Sequence, residues 1–355
     1  MKTAIKNTAN LRIMMLAAGE GTRMRPLTYF SPKPLNPILN KPVMEHTLVN
    51  LAKQGIKEVM INISYFPEKI KQYFGDGKKY GLKISYSLEH KALGTAGGVK
   101  NVEQFFAKNT FVIVSGDGLS DINLTRVVDF HKKKKALGTM VLSKVDSKYE
   151  YGVVIKNSDG KITRFLEKPR WSDILPGEVN TGIYVFEPEI FKYIPKDTFY
   201  DFGLQVWPRL LKIKKKIYAY NSDEYWCDIG GLDVYRQAHW DGMDKRLSLD
   251  IEGTSISEGV VAGEKLIKAH DVKLQSPCVI GKNCVFKSGS VIGPYASLGD
   301  NVTVGANSSV QNSVLWNNIS IPENTTLIDT IVTDDIEISG INLYLKNAIV
   351  TKNIY

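Results

Sequence analysis

A chain of 355 residues has room for two or three domains and a sizeable core. Its 43 % hydrophobic and 23 % charged residues exclude disordered, collagenous and coiled-coil classes. The net charge of +9 is uneven: all but four of the 46 basic residues, and all but six of the 37 acidic ones, precede Val279.

The basic runs 131–135 and 212–216 lack interleaved aromatics and read as solvated faces, so no nucleic-acid partner is expected. Arg12 breaks the apolar N-terminal stretch before it reaches signal-peptide length. No run approaches the roughly 18 apolar residues of a membrane span. The three cysteines form neither a disulfide framework nor a C-x-x-C metal site. A cytoplasmic protein without a membrane partner is expected.

After a tail over 1–10, RIMML (12–16) reads as a buried strand followed by a glycine-bearing loop. Pro42 can open a helix that Gly55 closes, and EVMINI (58–63) is the next strand. A short helix through Phe74 then precedes the strands LKISYS (82–87) and TFVIVS (110–115). This alternation, continuing to about Ile194, predicts an α/β domain with a mostly parallel, Rossmann-like sheet. In such sheets ligands lie beyond the carboxyl ends of the strands, which directs attention to the residues after RIMML and TFVIVS. A helix over 233–248 leads into a connector.

Every sixth residue from Ile280 is then large and apolar: Ile280, Phe286, Ile292, Leu298, Val304, Val310 and Trp316. Positions four further on are mostly small, as in Cys284, Ser290, Ala296 and Ser308. This hexapeptide repeat predicts a short parallel β-helix, whose coils must stack to bury their faces. The expected boundaries are a catalytic domain over 11–248, a connector over 249–278 and the β-helix over 279–355.

The segment LAAGEGTRMRPLT (16–28) follows the first strand and combines close glycines with Arg23 and Arg25. Gly19 and Gly21 let main-chain N–H groups approach phosphate oxygens, and an arginine adds charge-assisted bonds. In SPKPL (31–35), two prolines stiffen the backbone around Lys33. The loop is neither a Walker A motif nor a dinucleotide fingerprint. Further on stand LGTAGG (93–98), SGDG (115–118), YGVV (151–154), FLEKP (165–169), VNTGIYVF (179–186) and WCDIG (226–230).

Taken together in this order, these motifs resemble the sugar-1-phosphate nucleotidyltransferases over most of the chain. Within that family the wording is most similar to mannose-1-phosphate guanylyltransferases, whose C-terminal domain is a left-handed β-helix. The implied reaction is attack of mannose 1-phosphate on the α-phosphorus of GTP, giving GDP-mannose and pyrophosphate. Glucose 1-phosphate with UTP, dTTP or CTP, or a regulatory subunit that binds without turnover, are the alternatives. The nucleophilic phosphate is already ionised near neutral pH, so the protein must supply cations and a metal rather than a base.

The resemblance implies Arg23, Lys33, Asp117, Lys168 and Asp228 as catalytic residues, with Mg²⁺ on Asp117 and Asp228. It implies nucleotide contacts from Leu16, Ala18, Gly19, Gly21, Thr22, Arg23, Glu89, Gly94, Thr95 and Ala96. Gly152, Glu167, Lys168, Asn180 and Thr181 would hold the sugar phosphate. An acceptor-only carboxylate at Glu89 suits the N1 and N2 donors of guanine. Gly118 stands where many relatives carry a larger side chain. The repeats hold none of the five histidines, which argues against acyltransfer there, and they are read as a structural, homo-oligomerising domain.

Overall fold

The buried run Ile13–Met15 lies at the centre of a sheet, as its uninterrupted hydrophobicity requires. The computed structural model describes residues 11–144, 152–167 and 178–352. Its first elements are β1 (Arg12–Leu16), α1 (Val43–Lys53), β2 (Glu58–Ile63), α2 (Pro67–Phe74), β3 (Lys83–Leu88), α3 (Gly94–Asn101) and β4 (Phe111–Ser115). Strands β1 to β4 are parallel, in the order 3-2-1-4. Because the order reverses between β1 and β4, their carboxyl ends open a crevice between diverging connections. Gly116 N donates to Leu16 O at 2.9 Å, so the two ends meet directly.

Then follow β5 (Gly118–Ser120), α4 (Leu124–Lys134), β6 (Gly138–Ser143), β7 (Val153–Lys156), β8 (Ile162–Leu166) and β9 (Val179–Phe186). α5 (Trp207–Lys212), β10 (Ile217–Asn221), β11 (Trp226–Asp228) and α6 (Leu232–Met243) complete this part. β9 runs antiparallel to both β4 and β6, which makes the large sheet mixed. Its core is aromatic: Phe186 stacks on Trp207 at 5.1 Å, and Phe111 on Phe191 at 5.3 Å.

The chain forms two compact units. One comprises residues up to Glu20 together with Thr47–Asp228; the other comprises Gly21–His46 and Ile229 onward. Within the second unit, Tyr235 OH donates to Pro37 O (2.7 Å) and accepts from Trp316 Nε1 (2.9 Å). Asn40 Nδ2 donates to Leu298 O at 2.8 Å, and Lys41 pairs with Asp250 at 3.1 Å. These bonds tie the segment 21–46 to α6 and the coils.

The C-terminal coils form three sheets of short, mostly parallel strands. Parallel pairing begins at Val260–Ala262 on Cys278–Ile280, so a coil already lies in the stretch expected to be a connector. The hexad frame holds through Val310, then slips by one residue. Leu298 pairs with Leu315, not Trp316, whose indole instead reaches Tyr235. One corner carries a ladder of left-handed residues: Asn283 donates to Asn301 (3.1 Å), Asn301 to Asn318 (2.8 Å) and Asn318 to Asp335 (2.7 Å). Asparagine tolerates positive φ and bonds its equivalents above and below, which explains its recurrence at that corner. Lys352 closes the ladder on Asp335.

Candidate active site

A cleft of about 610 Å³ opens beyond the carboxyl ends of β1, β2 and β4, within the first unit. Of the expected nucleotide residues, Leu16, Ala18, Gly19, Glu89, Gly94 and Thr95 line it. Of the expected sugar and metal residues, Asp117, Glu167 and Asn180 line it too. Sequence-distant motifs therefore converge on one cavity because each follows, or lies on, a strand of the same sheet.

Asp117 is half-buried just beyond β4, and Ser115 Oγ donates to its Oδ1. The short antiparallel pair β5–β11 sets Asp228 opposite Gly118, one residue from Asp117, across a sequence gap of more than a hundred residues. A Cβ at Gly118 would lie 3.3 Å from Cys227 O, so the absence of a side chain lets β11 approach closely. Among the described residues no group of three or more His, Cys, Asp or Glu could hold a metal. Asp117 lines the cleft and Asp228 stands one register position away on β11, and hard oxygens of this kind suit Mg²⁺, which commonly takes one or two protein oxygens and leaves its other positions to phosphates and water.

Glu89 is only 5 % exposed. Asn62 Nδ2 donates to its Oε1 at 2.8 Å, and the Leu93 amide also donates to the carboxylate. Burial nevertheless pushes its pKa above the usual carboxylate range. The glycines of LGTAGG make room for protein atoms. A Cβ at Gly94 would stand 2.6 Å from Tyr200 O, one at Gly97 2.8 Å from Thr198 O, and one at Gly98 would collide with Glu89 Oε1.

Three expectations are corrected. The Ala96 amide donates to Tyr200 O at 2.9 Å and the residue is fully buried, so it offers no N–H to a base. Thr181 does not line the cleft: its hydroxyl donates to Val141 O (2.9 Å) and accepts from Ile183 N (3.2 Å), and it borders a separate cavity of about 30 Å³. Gly152 is buried rather than lining; a Cβ there would meet the Phe165 ring at 2.8 Å and Glu167 Oε2 at 2.9 Å, so it makes room for Glu167.

Asn180 is held by its own strand: Nδ2 donates to Tyr184 OH at 2.8 Å and Oδ1 accepts from Gly182 N at 3.0 Å. Lys168 lies outside the described residues. Gly21, Thr22, Arg23 and Lys33 belong to the second unit. Gly21 adopts φ +65° and packs against Lys33 and Thr28, where a Cβ would lie 3.1 Å from each. Lys33 is buried, whereas Thr22 and Arg23 are exposed. A Cβ at Gly230 would lie 2.9 Å from Arg23 Nη1.

Sequence reasoning missed Asn62 and Asp201, both of which line the cleft. Asn62 stands one position before the end of the strand 58–63, so the strand-end rule pointed near it. Asp201 accepts from Thr95 Oγ1 (2.8 Å) and caps the turn at Leu204 N (3.0 Å), in a loop without a motif.

The nucleotidyl transferase family model matches residues 12–244. A UTP–glucose-1-phosphate uridylyltransferase from Synechocystis is 37 % identical over 91 % of this chain and 87 % of that protein. A mannose-1-phosphate guanylyltransferase from Mycobacterium tuberculosis is 36 % identical over 63 % of this chain and 62 % of that protein. Among solved structures, HddC from Yersinia pseudotuberculosis superposes with a TM-score of 0.58 at 23 % identity, covering 65 % of this chain and 99 % of its own, which speaks for the fold. With residues of the LGTAGG, SGDG and VNTGIYVF motifs lining one cleft at the sheet's crossover, the chain belongs to the nucleotidyl transferase family, among the sugar-1-phosphate nucleotidyltransferases.

Proposed function

We propose that the enzyme joins UTP and glucose 1-phosphate, releasing pyrophosphate. A sugar-phosphate oxygen forms the new bond to the α-phosphorus as the bond to the β-phosphate oxygen breaks. The observation that carries the reaction is the cleft itself, with Asp117 and Glu89 set around the switch between β1 and β4. The choice of pair is supported by the Synechocystis relative, whose likeness covers 91 % of this chain and so reaches into the coils, whereas the mycobacterial likeness covers under two thirds of either chain. GTP with mannose 1-phosphate, the pair to which the motif wording points, is the second reading.

In the proposed mechanism Glu89 meets the base, while Glu167 and Asn180 meet sugar hydroxyls. Arg23, Lys33 and Lys168 offset phosphate charge; these three roles rest on their motifs. Mg²⁺, when held by Asp117 and Asp228, would neutralise phosphate charge. Orientation by Asn180 depends on its anchored amide, which lets it present a fixed face to a hydroxyl.

Pyrophosphate release should be measured with Mg²⁺ for five nucleotides (UTP, GTP, dTTP, CTP and ATP) against glucose 1-phosphate and mannose 1-phosphate. UTP with glucose 1-phosphate is expected to dominate, and Asp117→Asn to lower its turnover by about a hundredfold or more. Dominance of GTP with mannose 1-phosphate would establish the second reading. No turnover with any pair would overturn both.

A further inference from the structure

Asn62 is 4 % exposed, yet it borders the cleft and connects two parts of it. Its Oδ1 accepts from Ala17 N at 2.9 Å, at the start of the glycine loop, and its Nδ2 donates to Glu89 Oε1 at 2.8 Å. The register of β1 on β2 places Asn62 beside Leu16, which aims the amide across the strand ends. A Cβ at Gly98 would lie 2.9 Å from Asn62 Nδ2, so α3 is shaped around the pair. The Glu89 backbone is fixed as well: Glu89 N donates to Ile63 O at 2.8 Å, and Ser64 Oγ to Glu89 O at 2.9 Å.

We propose that Asn62 is a positioning residue for base selection: by holding Glu89 Oε1, with the Leu93 amide also on the carboxylate, it leaves Glu89 one accepting direction for a single ring N–H. Uracil and thymine offer one such donor between two carbonyl groups. Guanine offers adjacent N1–H and N2–H donors that pair best with both oxygens of a carboxylate. Asn62 therefore favours a pyrimidine over guanine without touching the base. This rests on the reading that the base reaches Glu89.

The exchange Asn62→Asp tests it. Aspartate keeps the acceptor for Ala17 N and the size of the side chain, and exchanges the donor to Glu89 for a second carboxylate that repels it. In the full-length enzyme the KM for UTP should rise about tenfold, with the KM for glucose 1-phosphate and kcat within about twofold of wild type, corresponding to loss of one charge-assisted bond. The ratio of kcat/KM for UTP over GTP should fall. When Asn62→Asp is combined with Glu89→Gln, the amide introduced at position 89 can donate to the carboxylate introduced at position 62, which reverses the bond. The UTP KM should then recover at least threefold relative to Asn62→Asp alone.

An unchanged UTP KM and base ratio in Asn62→Asp, or no recovery in the double variant, would overturn the proposal. Circular dichroism and urea midpoints of both variants separate misfolding from repositioning, and Asn62→Ser replaces Asn62→Asp if the latter unfolds. A wild-type enzyme that prefers GTP would overturn the pyrimidine selection whatever Asn62→Asp does. Turnover governed by a base contact elsewhere would appear as a Glu89→Gln single variant with unaltered nucleotide preference, and would overturn the reading on which the proposal stands.

Discussion

Gly94 is where single-residue geometry bears most directly on the cleft. Its φ of +72° is one that a side chain disfavours, and the space a Cβ needs is occupied by Tyr200 O at 2.6 Å. Tyr200 N in turn donates to Leu93 O, and Ala96 N and Gly97 N donate to Tyr200 O, so the loop and the 198–203 segment hold one another. Gly94→Ala should therefore cost about 2 kcal/mol of stability or more and raise the nucleotide KM at least about tenfold. Urea titration and initial rates would check it; a normal KM would mean that this pairing does not shape the nucleotide site. The glycines of LGTAGG were visible in the sequence, but their reason was not. The resemblance gave Gly94 as a nucleotide contact, whereas the atoms that fill the space at Gly94, Gly97 and Gly98 belong to Tyr200, Thr198 and Glu89.

Helix α6 is the element on which the second unit turns. Tyr235, fully buried, bonds Pro37 O on one side and Trp316 Nε1 on the other. Tyr235→Phe preserves the ring and strands the buried Trp316 indole N–H and the part-buried Pro37 carbonyl, a stranded buried group costing about 1 to 3 kcal/mol. A loss of about 2 to 4 kcal/mol in unfolding free energy is expected, read as a lower urea midpoint of the second unit with the slope unchanged; an unmoved midpoint would show that neither bond contributes. The hexad pattern made the coils legible through Val310. The one-residue slip that follows was hidden, because Trp316 fits an inward apolar position as well as Leu315 does. Only the register with Leu298, and the indole's bond to Tyr235, separate the two.

Acid sensitivity belongs to the whole molecule, since it sums over buried groups. His239 is 1 % exposed, and burial lowers its pKa to about 3; burial lowers that of His46 as well. His239 Nδ1 accepts from Leu39 N at 3.3 Å, so a proton there would face another donor. Because the folded pKa lies below the unfolded one, this stabilisation is complete above about pH 6.5 and is lost as the pH falls towards 3. From pH 7 to 5 the unfolding free energy should drop, with His239 supplying up to about 1.4 kcal/mol per pH unit below 6.5. His239→Gln should flatten that slope in denaturant titrations at pH 5, 6 and 7; an identical slope would show that His239 does not remain neutral in the fold.

The sequence by itself determined the alternation of β1 to β4 with their helices, the glycine loop, the acidic strand ends and the coils, because each follows from local periodicity or from contiguous motifs. It also pointed to Asp117 through its place at a strand end, and to Glu89 through the resemblance that the motifs carry. Only the tertiary structure decided that Asp228 stands across a two-strand ribbon from Gly118, that Ala96 and Thr181 spend their polar groups on the protein, and that Asn62 holds Glu89. Those facts depend on which donors and acceptors become neighbours when the strands pair. A hydrogen bond made across the fold leaves no period in the chain.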